Sequence, residues 1–132
     1  MNNTTMTILL AVDGSKYTKR MLNYIVSNEL MFSPSFRYVL VHADNKRLLA
    51  PQDDPEHALD AAARFLESHG FKAKRMRRKG APVDVLIQAS KDLMFNLIVM
   101  GSRGQSAAKS AMLGSVTAGI LERTAVPLLV IR

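Results

Sequence analysis

Four short apolar runs constrain the fold of this chain more than any other feature of its sequence. They occupy residues 8–12, 38–41, 97–100 and 128–131. Each run is continuous rather than alternating, which is typical of strands that are covered on both faces of a parallel sheet. A fifth candidate, residues 71–78, is mostly charged, so if it is a strand we expect it at an edge of the sheet.

Segments with helical spacing separate these runs. Residues 16–30, 55–69, 81–93 and 115–123 repeat apolar residues every three or four positions. Pro55 suits a first helical turn, Gly70 suits a C-terminal cap, and Pro127 begins a new extended segment. The predicted core stripes contain, in chain order, Met21, Leu22, Ile25, Val26, Leu30, Ala58, Leu59, Ala62, Phe65, Leu66, Val85, Leu86, Ala89, Leu93, Val116, Ile120 and Leu121.

The order of the segments, βαβαβαβαβ, predicts one α/β domain over residues 1–132. Right-handed crossovers should place helices on both faces of a single doubly wound, open five-stranded parallel sheet. We expect the strand order 3-2-1-4-5. With 132 residues, 48% of them apolar, and no Cys, the chain can bury one sizeable core without disulfides.

The composition of the chain bears on its cellular location and on the classes of partner it could bind. The first apolar run ends at Asp13 and is far shorter than the roughly 20 residues that span a bilayer, so we expect a cytoplasmic protein without membrane contact. The formal net charge is +7, and the tightest basic cluster lies between residues 72 and 79. Such a cluster either protects an edge strand from aggregation or attracts anions. Because no aromatic residue is interleaved in it as a stacking platform, nucleic-acid binding is not favoured.

Residues that follow the predicted strands are the candidates for binding, because ligands of open α/β sheets bind beyond the carboxyl ends of the strands. Polar or glycine-rich segments follow three of the four apolar runs. These segments are Asp13-Gly14-Ser15, His42-Ala43-Asp44 and Gly101-Ser102-Arg103-Gly104.

Two glycine-bearing stretches late in the chain suggest an anion site. Gly101 and Gly104 can let backbone N–H groups turn toward an anion without a Cβ in the way. Gly114 and Ser115 stand at the start of the last predicted helix, where free N–H groups and the helix dipole favour phosphate. The residues alone equally allow a plain turn followed by an N-cap at Ser115.

Side chains near these glycines could complete such a site. The hydroxyls of Ser115 and Thr117 can add donors, and Arg103 and Lys109 could offset phosphate charge. The spacing does not fit a P-loop, because Ile120 stands where the lysine of that motif belongs. Any nucleotide would therefore be bound in a different mode.

The pattern Gly101-x-x-Gly104, nine residues, then Gly114-Ser115 resembles the ATP-binding signature of the universal stress protein family. The resemblance extends to ILLAVDGS at residues 8–15, LIVMGSRG at 97–104, LGSV at 113–116 and VPLLV at 126–130. It covers essentially the whole chain. It implies a stress-response or signalling module that binds ATP, AMP or ADP and forms a homodimer through its C-terminal strand, Leu128 to Ile131; burial of that strand under a helix is the competing interpretation. Any Mg²⁺ would be held by the phosphates, since it needs few protein ligands.

Carried over to this chain, the resemblance assigns Asp13 to the ribose and places Ala11 and Ala43 against the adenine. Ala43 is smaller than the usual Val, and Asn96 replaces a commonly acidic residue. From the residues alone, Asp13 could instead cap the following helix together with a neighbouring serine. The full predicted nucleotide-binding set is Ala11, Asp13, Ala43, Met100, Gly101, Arg103, Gly104, Gly114, Ser115, Val116 and Thr117.

No recognisable catalytic pattern accompanies these residues. His42, His57 and His69 are isolated, and none stands with a Ser or Cys in a nucleophile motif. We therefore expect no dedicated catalysis and at most weak ATP hydrolysis. The alternatives are a small nucleotide-dependent enzyme and an RNA-associated basic domain, and the second rests on charge alone.

Overall fold

Strands and helices alternate along the chain in the computed structural model, which describes residues 5–45, 55–104 and 113–132. The strands are β1 (Thr7–Ala11), β2 (Arg37–Asp44), β3 (Ala73–Lys79), β4 (Leu97–Gly101) and β5 (Leu128–Ile131). The helices are α1 (Lys16–Ser27), α2 (Pro55–Ser68), α3 (Pro82–Asp92) and α4 (Ser115–Arg123). All strand pairs in these ranges are parallel, in the order β3-β2-β1-β4-β5. The predicted fold class and strand order are confirmed.

β1 is the central strand, and its composition follows from burial on both faces. Leu9 pairs in register with Val39 of β2 and with Ile98 of β4. Leu9 and Leu10 point to opposite faces of the sheet, and both are fully buried. A polar residue on either face would lie in the core, which explains the uninterrupted apolar run in the sequence.

The helices cover both faces of the sheet. α1 and α2 pack on one face against a core that includes Leu10, and α3 and α4 pack on the other against a core that includes Val41. The N-cap of α1 is Ser15, whose side chain accepts hydrogen bonds from backbone N–H groups of the first turn. Within the described ranges, none of the helices has the length and apolar character needed to cross a membrane.

Three apolar residues predicted to lie on helical core stripes are exposed instead. α1 ends at Ser27, so Leu30 falls in the following turn and is fully exposed, whereas Phe32 enters the core. Leu93 is the C-cap of α3 and lies beyond its buried face. Leu121 lies within α4 but off the face that packs on the sheet. For Leu30 and Leu93, the apolar spacing of the sequence continues past the end of the helix, because the helix end is set by local backbone hydrogen bonds.

The basic strand β3 lies at an edge of the sheet, as its charge predicted. Three of its arginines pair with carboxylates of the same chain: Arg75 with Asp60 at 3.3 Å, Arg77 with Asp44 at 2.8 Å and Arg78 with Asp92 at 2.7 Å. The hydrogen bond from Arg78 is the main cause that lowers the pKa of Asp92. Much of the local charge is thus compensated within the fold, which favours edge protection over a surface for nucleic acid.

Candidate functional site

The candidate site lies where the direction of the sheet connections reverses. β1 and β4 are neighbours, but β1 leads into α1 on one face of the sheet and β4 leads toward α4 on the other. Loops that diverge in this way leave a crevice beyond the carboxyl ends of the two strands. Asp13 follows β1 and the segment 102–104 follows β4, so both border this crevice.

The two glycine-bearing stretches are in direct backbone contact at this crevice. The N–H of Gly114 donates to the carbonyl oxygen of Ser102 at 2.7 Å. A Cβ added to Gly114 would lie 3.1 Å from the Cα of Arg103 and 3.4 Å from the backbone nitrogen of Gly104. The start of α4 is therefore held against the loop that follows β4, at a distance that a larger residue would not permit without movement.

The N-terminus of α4 opens at the same place. Gly114 is its N-cap, with extended backbone and no side chain to accept a hydrogen bond from the first turn. Ser115 is exposed and Val116 is half-buried there. Since the first N–H groups of a helix have no acceptor within the helix, this end attracts an anion.

Thr117 lies inward rather than facing a ligand. Its hydroxyl donates to the carbonyl oxygen of Gly101 at 2.9 Å, and the residue is buried. This hydroxyl already has a partner within the protein, and its predicted role as a phosphate donor stays a prediction. Thr117 instead ties α4 to the end of β4 and so fixes where the helix begins.

Close packing, not unusual backbone angles, explains Gly101 at the end of β4 and Gly104 just after it. The glycines with left-handed φ in the described residues are Gly14, Gly70 and Gly80, none of which belongs to this pattern. A Cβ on Gly101 would lie 2.7 Å from Tyr17 Cβ and 3.1 Å from the Tyr17 carbonyl oxygen. Gly101 therefore lets α1 approach the end of β4, a packing role that the sequence alone did not suggest.

Asp13 and Gly104 bring the loop that follows β1 close to the loop that follows β4. A Cβ on Gly104 would lie 2.6 Å from Oδ2 of Asp13. The other carboxylate oxygen, Oδ1, accepts hydrogen bonds from the backbone N–H of Ser15 at 2.9 Å and from the hydroxyl of Thr18 at 2.8 Å. The Asp13 carboxylate thus supports the start of α1 through Oδ1, while Oδ2 borders the segment 102–104 that follows β4, called the glycine loop below. The capping role and the site role that the sequence left open are compatible.

Apolar residues of the predicted set converge on the face covered by α3 and α4. Ala11, Ala43 and Val116 are partly exposed members at the margin of this core, and Met100 is buried within it. They come from three adjacent strands and from the first turn of α4. Met100 forms the floor of this area rather than an exposed contact. An apolar margin beside a helix N-terminus suits an aromatic ring that carries an anionic group.

Arg103 is half-exposed on the glycine loop, next to Gly114. Lys109, the other cation predicted to offset phosphate charge, lies outside the described residues. In the described part of the chain there is no group of three or more His, Asp or Glu side chains able to hold a metal ion.

Two residues near the site were not recognised as functional in the sequence. The hydroxyl of Thr18 contacts both the backbone and the carboxylate of Asp13. His42, judged an isolated histidine, places Nδ1 2.7 Å from the carbonyl oxygen of Val12, directly before Asp13. The sequence signalled the N-cap at Ser15, which places Thr18 in the first turn of α1, but it gave no sign that Thr18 contacts Asp13. No local pattern connects His42 to Val12, which is 30 residues away.

Solved structures share this fold. The structure of MJ0577 aligns with a TM-score of 0.82 and 22% identity over 98% of this chain and 96% of that chain. A universal stress protein in complex with cAMP aligns with a TM-score of 0.75 and 22% identity over 98% of both chains. An Arabidopsis thaliana universal stress protein family protein with AMP bound aligns with a TM-score of 0.73 and 22% identity, over 96% of this chain and 90% of that chain.

Curated relatives point to the same group. Universal stress protein Slr1230 of Synechocystis is 28% identical over 127 residues, which are 95% of this chain and 42% of that protein. Universal stress protein MJ0577 of Methanocaldococcus jannaschii is 29% identical over 80 residues, 61% of this chain and 49% of that protein. The chain spans less than half the length of these two relatives, whereas it spans 97% of YxiE of Bacillus subtilis at 25% identity.

The sequence profile of the universal stress protein family matches residues 4–132, which include every strand, every helix and the glycine-bearing stretches described above. That match extends over nearly the full chain, and the chain belongs to the universal stress protein family.

Proposed function

We propose that this chain binds an adenine nucleotide (ATP, ADP or AMP) and acts in the cytoplasm as a stress-response or signalling module. The contact of Gly114 with the Ser102–Gly104 segment is the observation that carries the proposal. It assembles backbone donors, a helix N-terminus and the Asp13 carboxylate around one crevice. An adenine nucleotide combines an aromatic ring, a diol and an anion, which suit the apolar margin, the carboxylate and the helix N-terminus respectively.

The residues divide into three groups along such a ligand. The adenine would lie against Ala11 and Ala43 at the margin of the apolar core, above Met100. Asp13 would accept hydrogen bonds from the ribose hydroxyls, since a carboxylate suits a diol and would repel phosphates. The phosphates would lie at the glycine loop and the first turn of α4. That part of the set comprises Gly101, Arg103, Gly104, Gly114, Ser115, Val116 and, as a support beneath them, Thr117.

Structural neighbours support the choice of an adenine ring. Proteins of this fold have been crystallised with cAMP and with AMP. Both ligands share adenine, ribose and at least one phosphate with ATP. For the present chain we extend this to ATP because the first N–H groups of α4 have no acceptor within the helix and could bind additional phosphates. Any Mg²⁺ would be held mainly by those phosphates, which requires few protein ligands.

Isothermal titration with ATP, ADP and AMP, with and without Mg²⁺, tests the proposal directly. We expect saturable binding of at least one of them, little binding of GTP, and a melting temperature that rises with ligand concentration, because a ligand bound only by the folded state stabilises it. The assignment fails if millimolar concentrations of all three adenine nucleotides give neither heat of binding nor a shift in melting temperature.

We also propose that the protein is a homodimer in which β5 of one protomer pairs with β5 of its partner. β5 is the second edge of the sheet, and Leu128, Leu129 and Val130 are only half-buried. An apolar edge strand with an unpaired row of backbone groups tends to associate with another strand. Pairing of two copies would cover this edge.

A further inference from the structure

The peptide bond between Val12 and Asp13 is held at both of its polar groups. On one side, the carbonyl oxygen of Val12 accepts a hydrogen bond from Nδ1 of His42 at 2.7 Å. On the other, the N–H of Asp13 donates to the hydroxyl oxygen of Thr18 at 3.1 Å. This peptide lies at the exit of the central strand, immediately before the carboxylate that borders the crevice. Its orientation therefore decides where that carboxylate points.

The Thr18 hydroxyl closes a ring with Asp13. While its oxygen accepts from the Asp13 N–H, its own proton goes to Oδ1 of the same residue at 2.8 Å. Oδ1 also accepts from the N–H of Ser15. With Oδ1 engaged twice, the side chain is restricted to a rotamer that directs Oδ2 toward Gly104. Thr18 is itself buried in the first turn of α1, so the ring rests on a rigid element.

Among the described residues, the side chain of His42 makes one hydrogen bond, and it makes that bond at this peptide. The residue is 5% exposed, and Nε2 is buried without a hydrogen-bond partner among the described residues. A carbonyl oxygen only accepts, so Nδ1 carries the proton in this hydrogen bond. A buried polar atom without a partner is unfavourable, and an apolar side chain would avoid it. What the imidazole provides in return is the hydrogen bond to Val12.

We propose that Thr18 and His42 are positioning residues that fix the Asp13 carboxylate for the ribose hydroxyls of the bound nucleotide. This inference rests on the proposed function. Thr18 acts on the carboxylate itself, and His42 acts one peptide bond away, on the backbone that carries it. A carboxylate held in place before the ligand arrives loses less conformational freedom on binding and so contributes more to affinity.

The test uses ligands that differ only in the groups Asp13 would bind. Affinities for ATP and for 2′,3′-dideoxy-ATP, which lacks both ribose hydroxyls, are measured by titration for the wild type and for matched variants. Thr18→Val removes the hydroxyl and keeps the shape, whereas Thr18→Ser keeps the hydroxyl. His42→Leu removes the donor, and His42→Asn retains a donor at the position of Nδ1.

We expect Thr18→Val to weaken ATP binding roughly tenfold, as for loss of a hydrogen bond to a charged group, while binding of the dideoxy ligand is unchanged. Thr18→Ser should retain most of the wild-type preference for the ribose ligand. His42→Leu should lower that preference less than Thr18→Val, and His42→Asn should restore part of it. In an Asp13→Ala background, Thr18→Val should have no further effect, because both changes remove the same interaction.

A purely structural role for Thr18 and His42 would weaken both ligands equally, and that result would overturn the proposal. So would a Thr18→Val variant that keeps the full ribose preference while Asp13→Ala loses it. If Thr18→Val does not fold, as judged by its melting curve, the two His42 variants decide the question by the same ligand ratio. A wild type that binds neither ligand contradicts the proposed function instead, so the two failures can be told apart.

Discussion

The backbone N–H of Gly114 donates to the carbonyl oxygen of Ser102 at 2.7 Å, which joins the start of α4 to the loop that follows β4. The same loop residue connects onward, because the Ser102 N–H donates to the carbonyl oxygen of Ile131 in β5. The candidate phosphate site is therefore continuous with the edge strand proposed for dimer contact. A ligand that rigidifies this loop would therefore also restrict the motion of β5, the edge strand proposed for dimer contact.

Replacement of Gly114 by Ala should lower nucleotide affinity at least tenfold while leaving the fold in place. The new Cβ would lie 3.1 Å from Arg103 Cα, so the loop must move away from the N-terminus of α4. Such a shift lengthens and misaligns backbone hydrogen bonds from this site to a phosphate, and these bonds weaken as their geometry departs from the ideal. Titration with ATP measures the affinity, and circular dichroism reports the fold.

Gly70→Ala is the matched control for that variant. Gly70 has a φ of +85° and open space around it, so Ala there costs about 1 kcal/mol of backbone strain without touching the site. We expect a lower melting temperature and wild-type affinity for ATP. Equal affinities for the wild type and Gly114→Ala would show that the contact between the two stretches has no part in binding.

Gly101→Ala should lower the stability of the fold. Its Cβ would meet Tyr17 at Cβ and at the backbone, and backbone of a packed helix cannot yield as a flexible side chain can. Overpacking of this kind costs about 1–3 kcal/mol of unfolding free energy. Urea denaturation monitored by circular dichroism gives the value. An unchanged unfolding midpoint would mean that α1 shifts freely over β4.

Burial of Tyr38 predicts a loss of stability at alkaline pH. Burial raises the pKa of its phenol well above the ordinary value near 10, and its hydroxyl donates to the carbonyl oxygen of Ser33 at 2.8 Å. Below about pH 10 both folded and unfolded states are protonated, and the contribution to stability is constant. Above that pH the unfolded state loses its proton first, so the unfolding free energy falls as pH rises.

Tyr38→Phe isolates this effect. The variant should lose about 1 kcal/mol at neutral pH, because the Ser33 carbonyl loses its partner. Its unfolding free energy should then depend less on pH between about 10 and 11 than that of the wild type. Parallel alkaline slopes in urea denaturation of the two proteins would exclude Tyr38 as the source.

The parts of the fold that depend on burial could be predicted from the sequence. β1 and β4 could be predicted as strands because their residues are buried on both faces of the sheet, which leaves a continuous apolar run in the sequence. Leu9 and Ile98, for example, pair in register and are fully buried. β5 and α4 have the predicted bounds for the same reason, with Pro127 separating them. The high charge of β3 correctly predicted that this strand lies at an edge of the sheet. Where a helix stops is decided by a few local hydrogen bonds, so Leu30 was wrongly assigned to the core.

The site was predictable in its location but not in its contacts. The order of strands and glycines indicated the crevice after β4, and Gly114 lies there. The sequence could not show that Gly101 makes room for Tyr17, since that contact joins residues 84 positions apart on different elements. Nor could it show that Thr117 faces inward. Side-chain direction at the first turn of a helix depends on how the helix packs, which only the three-dimensional structure determines.

Val130→Pro should prevent the proposed dimer without unfolding the protomer. The carbonyl oxygens of Pro127 and Ile131 accept hydrogen bonds from Ile98 of β4 and from Ser102 directly after it. The alternation along a strand therefore directs the backbone groups of Leu128 and Val130 to the outer edge. Proline at position 130 therefore removes a donor that β4 does not use. Leu129→Pro, one residue away, would remove a donor to β4 and should destabilise the fold. We expect sedimentation velocity to show a dimer for the wild type and a folded monomer for Val130→Pro. A dimer that persists in Val130→Pro must be built on another surface.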